Sequence, residues 1–163
     1  MVEVTLVGVR VELPTNQPIV LLKERDGVRF LPIWIGAVEA TAIAFALQGV
    51  VTQRPMTHDL LKSVLDEVGV TVEGIDITEL REGTFYAAIR MRTRGASYEV
   101  SSRPSDAIAL AVRAGAPIFV AEEVLEEASI NMREDEAEEA PDIQVEKFRE
   151  FLDQVSPEDF KNQ

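Results

Sequence analysis

Residues 2–35, VEVTLVGVRVELPTNQPIVLLKERDGVRFLPIWI, decide the fold class. Val2, Val4 and Leu6 alternate with other residues, and Val9, Val11 and Leu13 resume the alternation in the opposite phase beyond Gly8. A period of two places successive side chains on opposite faces of a strand, so this is one long strand with a bulge where the phase changes. Pro14 to Pro18 form a turn. Ile19 to Leu22 and Val28 to Ile35 then flank Asp26-Gly27, a pair suited to the positive φ angles of a tight hairpin. Three antiparallel strands are expected before the first helix.

That helix is AVEATAIAFALQ, residues 37–48, apolar nearly all round and followed by Gly49. A helix without a polar face is buried or covered by another subunit. In residues 58–68, Leu60, Leu61, Val64, Leu65 and Val68 share one face, opposite Lys62, Asp66 and Glu67, which predicts an amphipathic helix closed by Gly69. Val70 to Ile77, Phe85 to Met91 and Ser97 to Ser101 read as further strands, and Ile118 to Val120 as a short one. Pro104 occupies a first helical position, Ala107 to Val112 are apolar, and Gly115 ends that helix behind Arg113, which complements the helix dipole.

Beyond it the composition changes. Residues 1–121 hold 12 Lys and Arg against 14 Asp and Glu, whereas residues 122–163 hold 4 against 15, so the net charge of −13 belongs almost wholly to the tail. Glu122 to Ala140 is read as too acidic to pack well, with much of 134–140 disordered. Val145, Phe148, Leu152 and Val155 recur at helical spacing past Pro141. The expected architecture is α+β: a mostly antiparallel twisted sheet with three packed helices and a C-terminal amphipathic helix. Residues 1–127 form one domain, and 128–163 an acidic linker and helix.

The 163 residues contain no Cys, which removes disulfides, thiolate nucleophiles and cysteine-ligated zinc, and fits a reducing cytoplasm. No apolar run reaches spanning length and no signal-like segment follows Met1, so neither membrane insertion nor secretion is expected. The single histidine, His58, excludes chemistry needing two imidazoles.

Two segments repeat a pattern. Arg54-Pro55-Met56-Thr57-His58-Asp59 and Arg103-Pro104-Ser105-Asp106 each place Arg-Pro ahead of a hydroxyl residue and an Asp at a helix start. Helix N-termini present unpaired N–H donors and partial positive charge, and an adjacent guanidinium adds a fork for anionic oxygens, so either segment suits a phosphate. The same residues also serve as ordinary caps and first-turn acids. Glu39, in the first turn of the most apolar helix, needs either an arginine partner such as Arg54 or Arg103, or a ligand role. With Asp59 and Asp106 it would make an all-oxygen site of the kind Mg2+ or Mn2+ accepts. Arg90, Arg92 and Arg94 share a strand face with Tyr86, a row that either tracks a nucleic-acid backbone or is neutralised by neighbouring acids. Trp34 reads as core or interface rather than as a base-stacking platform.

LPIWIG with the following Glu39, RPMTHDLL, GTFYAAI and SRPSDAIALAVR together resemble the bifunctional nuclease family of bacteria and plants, over about Val2 to Glu127. FREFLDQV with PEDF, near the C-terminus, is similar to actinobacterial members. The resemblance implies an α+β fold, oligomerisation, as in a homodimer, and hydrolysis of RNA and DNA. On that basis Glu39, Asp59 and Asp106 are expected to hold one divalent ion, His58 to shuttle a proton, and Arg54 and Arg103, with Thr57 and Ser105 beside them, to bind phosphate. The competing expectation is a non-catalytic oligomeric module for a phosphorylated ligand, a nucleic acid or a protein partner, with the acidic tail as an inhibitory or docking arm.

Overall fold

A computed structural model describes residues 1–12 and 15–133. The C-terminal helix expected from Val145 to Val155, and the disorder expected over 134–140, lie outside the described residues.

The chain runs β1 (Val2–Glu12), β2 (Gln17–Glu24), β3 (Arg29–Trp34), α1 (Ala37–Leu47), α2 (Thr57–Glu67), β4 (Thr71–Arg81), β5 (Thr84–Arg92), β6 (Ser97–Ser102), α3 (Pro104–Ala114), β7 (Ile118–Val120), α4 (Glu122–Ala128) and β8 (Ile130–Asn131). One open sheet holds all the described strands in the order β6-β5-β4-β7-β1-β2-β3-β8, antiparallel except for β4 beside β7. The architecture is α+β, as the strand and helix periodicities predict.

The three-residue β7 joins two antiparallel halves. Ile118 to Val120 lie antiparallel to Val2 to Val4 and parallel to Ile75 to Ile77. Both edges of β7 are therefore paired, and Ile118 and Val120 are buried, as a central strand requires. The phase change in β1 is a bulge between Leu6 and Gly8 opposite β2. At the β2–β3 connection neither Asp26 nor Gly27 adopts positive φ, so the expected tight turn is replaced by a longer loop. Gly27 is small for a different reason: a Cβ there would overlap the Glu24 carboxylate.

Helices α1 and α3 pack against each other, α1 over β1 and β2 and α3 over β4 and β5, while α2 rests on α3. Pro104 begins α3, where its missing N–H costs no helical bond, and Gly115 closes it at φ 63° in the left-handed region that Gly enters freely. Ala107, Ala109 and Ala111 alternate with Ile108 and Leu110, all buried, and the small residues let α1 approach closely.

Three expectations change. Glu122 to Ala128 does pack: Val124 and Leu125 are buried, and Arg29 takes Glu122 (2.7 Å) and Glu24 (2.8 Å) together, anchoring an acidic helix to β3. By contrast, the apolar face of α2 is uncovered, with Leu60, Leu61, Val64 and Val68 all exposed. Trp34 is also not core; it is 52% exposed.

Replacing the buried Ile108 by Ala should destabilise the protein by about 2–5 kcal/mol, through lost transfer energy and the cavity left behind. Val51→Ala, at a position 92% exposed, should change stability by less than about 0.5 kcal/mol. Urea unfolding of the two variants beside the parent checks both.

Candidate functional site

The first turns of α1, α2 and α3 meet. Glu39 stands in the first turn of α1, His58 in that of α2 and Asp106 in that of α3, with Arg103 as the residue that caps α3. Three helix starts bring three sets of unpaired N–H groups and three positive dipole ends to one place. Carboxylates are favoured there, and so is any bound anion.

The side chains form a single chain of contacts. Arg103 donates from Nε to Asp106 Oδ2 (2.8 Å) and from Nη2 to Glu39 Oε1 (2.8 Å). His58 Nε2 lies 3.0 Å from Asp106 Oδ1. As a carboxylate, Asp106 accepts both bonds, so His58 carries its proton on Nε2. The His58 ring is buried, Asp106 is partly open, and the Arg103 side chain is 67% exposed. The arginine is thus the solvent-facing end of a relay that runs inward to the imidazole. Asp106 and Glu39 hold Arg103 firmly protonated. Gly36, just ahead of α1, gives the Glu39 carboxylate its room, because a Cβ there would overlap Oε2.

Asp59 is not part of this group. It turns the other way, accepting from Arg113 Nε at Oδ1 (2.6 Å) and from the Met56 backbone N–H at Oδ2 (3.0 Å). Asp59 thus bonds Arg113 and Met56 rather than Arg103, and stands outside the chain of contacts that joins Glu39 to Asp106. Among the described residues, no group of three or more His, Cys, Asp and Glu is placed to hold a metal ion.

Arg113 is the residue that sequence reading undervalued. Its side chain is 8% exposed, and besides Asp59 it donates to Ala109 O (2.8 Å) and Ala42 O (3.0 Å). One buried guanidinium thus bonds α1, α2 and α3 together behind the site. The signal available in the sequence was a lone arginine directly behind the apolar run Ala107 to Val112.

The remaining candidates separate. Ser105 is 6% exposed and follows Pro104 in the first turn of α3, and Thr57 opens α2 exposed to solvent; neither is a helix cap, since Met56 and Arg103 hold those places. Arg54 is exposed and has no side-chain ion pair among the described residues. Arg90 is paired with Asp76 (2.7 Å) and Arg92 with Glu73 (2.6 Å), so β4 carboxylates neutralise two of the three arginines of the row. Arg90 also lies roughly 17 Å along β5 from Phe85, at about 3.3 Å per residue, at the end away from the site.

Beside Arg103 a pocket of about 390 Å3 opens between the end of β3, the β4–β5 turn and the start of α3, with Trp34, Gly83, Phe85, Arg103 and Ser105 among its lining residues.

Burial raises the Asp59 carboxyl, but the Arg113 guanidinium, the Met56 N–H and the nearby His58 outweigh this and leave it below the usual carboxylate range. A group depressed in the folded state adds stability above its unfolded pKa and loses it as pH falls through the folded value. Asp59→Asn should therefore lower the urea midpoint at neutral pH and flatten the loss of stability on acidification below the ordinary aspartate range. Unfolding curves at a series of pH values check this.

A family model described as bifunctional nuclease domain matches residues 20–133. An uncharacterised protein of Mycobacterium tuberculosis is 48% identical over 165 residues, covering 99% of each chain. Bifunctional nuclease 1 of Arabidopsis thaliana is 31% identical over 107 residues, which are 63% of this chain and 33% of that one. Bifunctional nuclease 2 of Oryza sativa subsp. japonica is 30% identical over 108 residues, 64% of this chain and 33% of the other. The match to the plant proteins thus spans about a third of their length.

Proposed function

The chain belongs to the bifunctional nuclease domain family, and from that premise we propose that the Glu39, Arg103, Asp106 and His58 cluster hydrolyses phosphodiester bonds of RNA or DNA. The observation that carries the reading is the Arg103 guanidinium, exposed at the mouth of a pocket and bonded to a carboxylate that itself rests on the only imidazole.

A phosphate enters where Arg103 and the N–H groups of Ser105 and Asp106, free of helical partners at the start of α3, can surround its oxygens. Pro104 supplies no N–H, so the second and third positions carry that task. Glu39 shares the guanidinium while the site is empty and keeps the arginine aimed. Asp106 takes a proton from the attacking water and passes it to the leaving oxygen as the P–O bond breaks, while His58 behind it donates from Nε2 and fixes the carboxylate. The guanidinium then neutralises charge that builds on the phosphoryl oxygens in the transition state. Every step in this scheme is assigned to a side chain of the cluster. Cleavage in EDTA, and after Mg2+ or Mn2+ is restored, measures what a divalent ion adds.

Asp106→Asn and His58→Gln should each reduce cleavage of a labelled oligonucleotide about 10²–10⁴-fold, the range for removing general acid–base assistance. Arg103→Lys should be weakened too, because an ammonium cannot hold two oxygens as a planar fork does. Protein purified through a step that removes trace nuclease, with Asp106→Asn as active as the parent, would sink the assignment.

A second reading rests on the open apolar face of α2. We propose that Leu60, Leu61, Val64 and Val68 are covered by another copy of the chain, giving an oligomeric module that binds a phosphorylated ligand with or without cleavage. Light scattering after size exclusion should show an oligomer for the parent and a monomer for the double variant Leu61→Glu, Val64→Glu.

A further inference from the structure

We propose that the pocket beside Arg103 is a nucleobase site in which the base of a nucleotide stacks on Trp34 while its phosphate is held by Arg103 at the start of α3. The proposal rests on the phosphate role given to Arg103 above, but not on hydrolysis.

Trp34 is the odd residue of its strand. Phe30, Leu31 and Ile33 of β3 are buried to within 2% of completely, yet Trp34, the largest side chain of the protein, is left 52% exposed at the strand end. Its ring is not loose. The indole N–H donates to Glu12 Oε2 at 2.8 Å, which fixes the orientation of the ring and uses the only polar atom it has. What remains available is a rigid aromatic face. Flat π-faces bind nucleobases by stacking whatever the base identity, and a ring already held in place loses little entropy in doing so.

The rest of the lining completes the fit. Phe85, at the start of β5, supplies a second aromatic side chain to the same pocket. Gln17 and Thr84 line it as well, and neither side-chain polar group has a partner among the described residues. An amide and a hydroxyl are the groups that can bond a base edge or a ribose hydroxyl. The Arg103 guanidinium and Ser105 line the same pocket, and the Ser105 hydroxyl has no hydrogen-bond partner among the described residues even though the residue is 6% exposed. Since no solvent-shielded polar side-chain atom among the described residues lacks a partner, that hydroxyl retains access to solvent, and the pocket is the cavity Ser105 lines. A volume of about 390 Å3 sits within the range of small-molecule clefts, about 300–1,000 Å3, and is enough for one nucleotide. Aromatic surface together with an arginine at a helix start matches the two chemistries of that ligand: an uncharged flat base and an anionic phosphate.

Trp34 is the only tryptophan in the chain, so fluorescence excited where the two tyrosines do not absorb reports on this pocket. Titration with adenosine monophosphate should quench it saturably, while inorganic phosphate at the same concentrations should not. A short oligoadenylate that quenches at lower concentration than the monophosphate identifies a nucleotide unit within a strand as the ligand, and the reverse order identifies a free nucleotide. By calorimetry, Trp34→Leu should bind the monophosphate about tenfold or more weakly and Trp34→Phe should recover most of the affinity, because a ring and not bulk is what stacks. Circular dichroism and the urea midpoint should match the parent for both variants. Equal quenching by phosphate and nucleotide, or Trp34→Leu binding as tightly as the parent, overturns the base site. Cleavage that persists with unchanged KM in Trp34→Leu does so too, while leaving the nuclease reading intact. Saturable quenching by a protein that cleaves nothing would retain the base site and remove the nuclease.

Discussion

Arg113 ties the molecule together. It sits in the last turn of α3, almost fully buried, and its donors reach a carbonyl of α1, a carbonyl of its own helix and the Asp59 carboxylate of α2. A guanidinium taken out of water is tolerated only when its donors are met, and here three helices meet them. The constraint works in both directions. Those bonds set where α2 starts, and α2 otherwise contributes only one buried residue, His58. Beside the brace, the half-buried Leu65 packed on the core and the His58 bond to Asp106 hold this outwardly apolar helix in place.

The site is built on the far side of that brace by crowding like helix ends together. Convergent N-termini concentrate positive potential, and the protein answers with Glu39 and Asp106. Two carboxylates so close would repel each other, and Arg103 resolves this by bonding both. The result is a cluster in which one guanidinium serves two carboxylates and the cation is the most exposed member. An incoming phosphate then meets a guanidinium that is already oriented, beside N–H groups that have no helical partner. Asp59, although next to His58 in sequence, serves the brace. Neighbouring residues at the start of α2 thus divide between structure and site.

Much of the scaffold was legible because its signals are local. The bulge in β1, the glycines closing α1, α2 and α3, and Pro104 opening α3 follow from backbone sterics that each residue carries with it. The connection at Asp26-Gly27 was misread because two different needs select a small residue: positive φ, and space for a neighbouring side chain. The acidic α4 was misread because composition does not reveal that Arg29, distant in sequence, would neutralise Glu122 and Glu24 together. The Arg-Pro repeat correctly marked two helix starts, yet only Arg103 of the pair reaches a carboxylate partner; Arg54 points elsewhere.

The sequence by itself determined the alternation of strands and helices, the family, and the residue types gathered at helix starts, since all of these depend on short-range periodicity or on strings of adjacent residues. Only the tertiary structure decided that His58, Asp106, Arg103 and Glu39 stand in one line while Asp59 faces Arg113, and that Trp34 is left open beside them. The reason is that a carboxylate at a helix start has the same local chemistry whichever way it turns. Which partner it meets is set by how the helices cross, and that is fixed by packing between residues far apart in the chain.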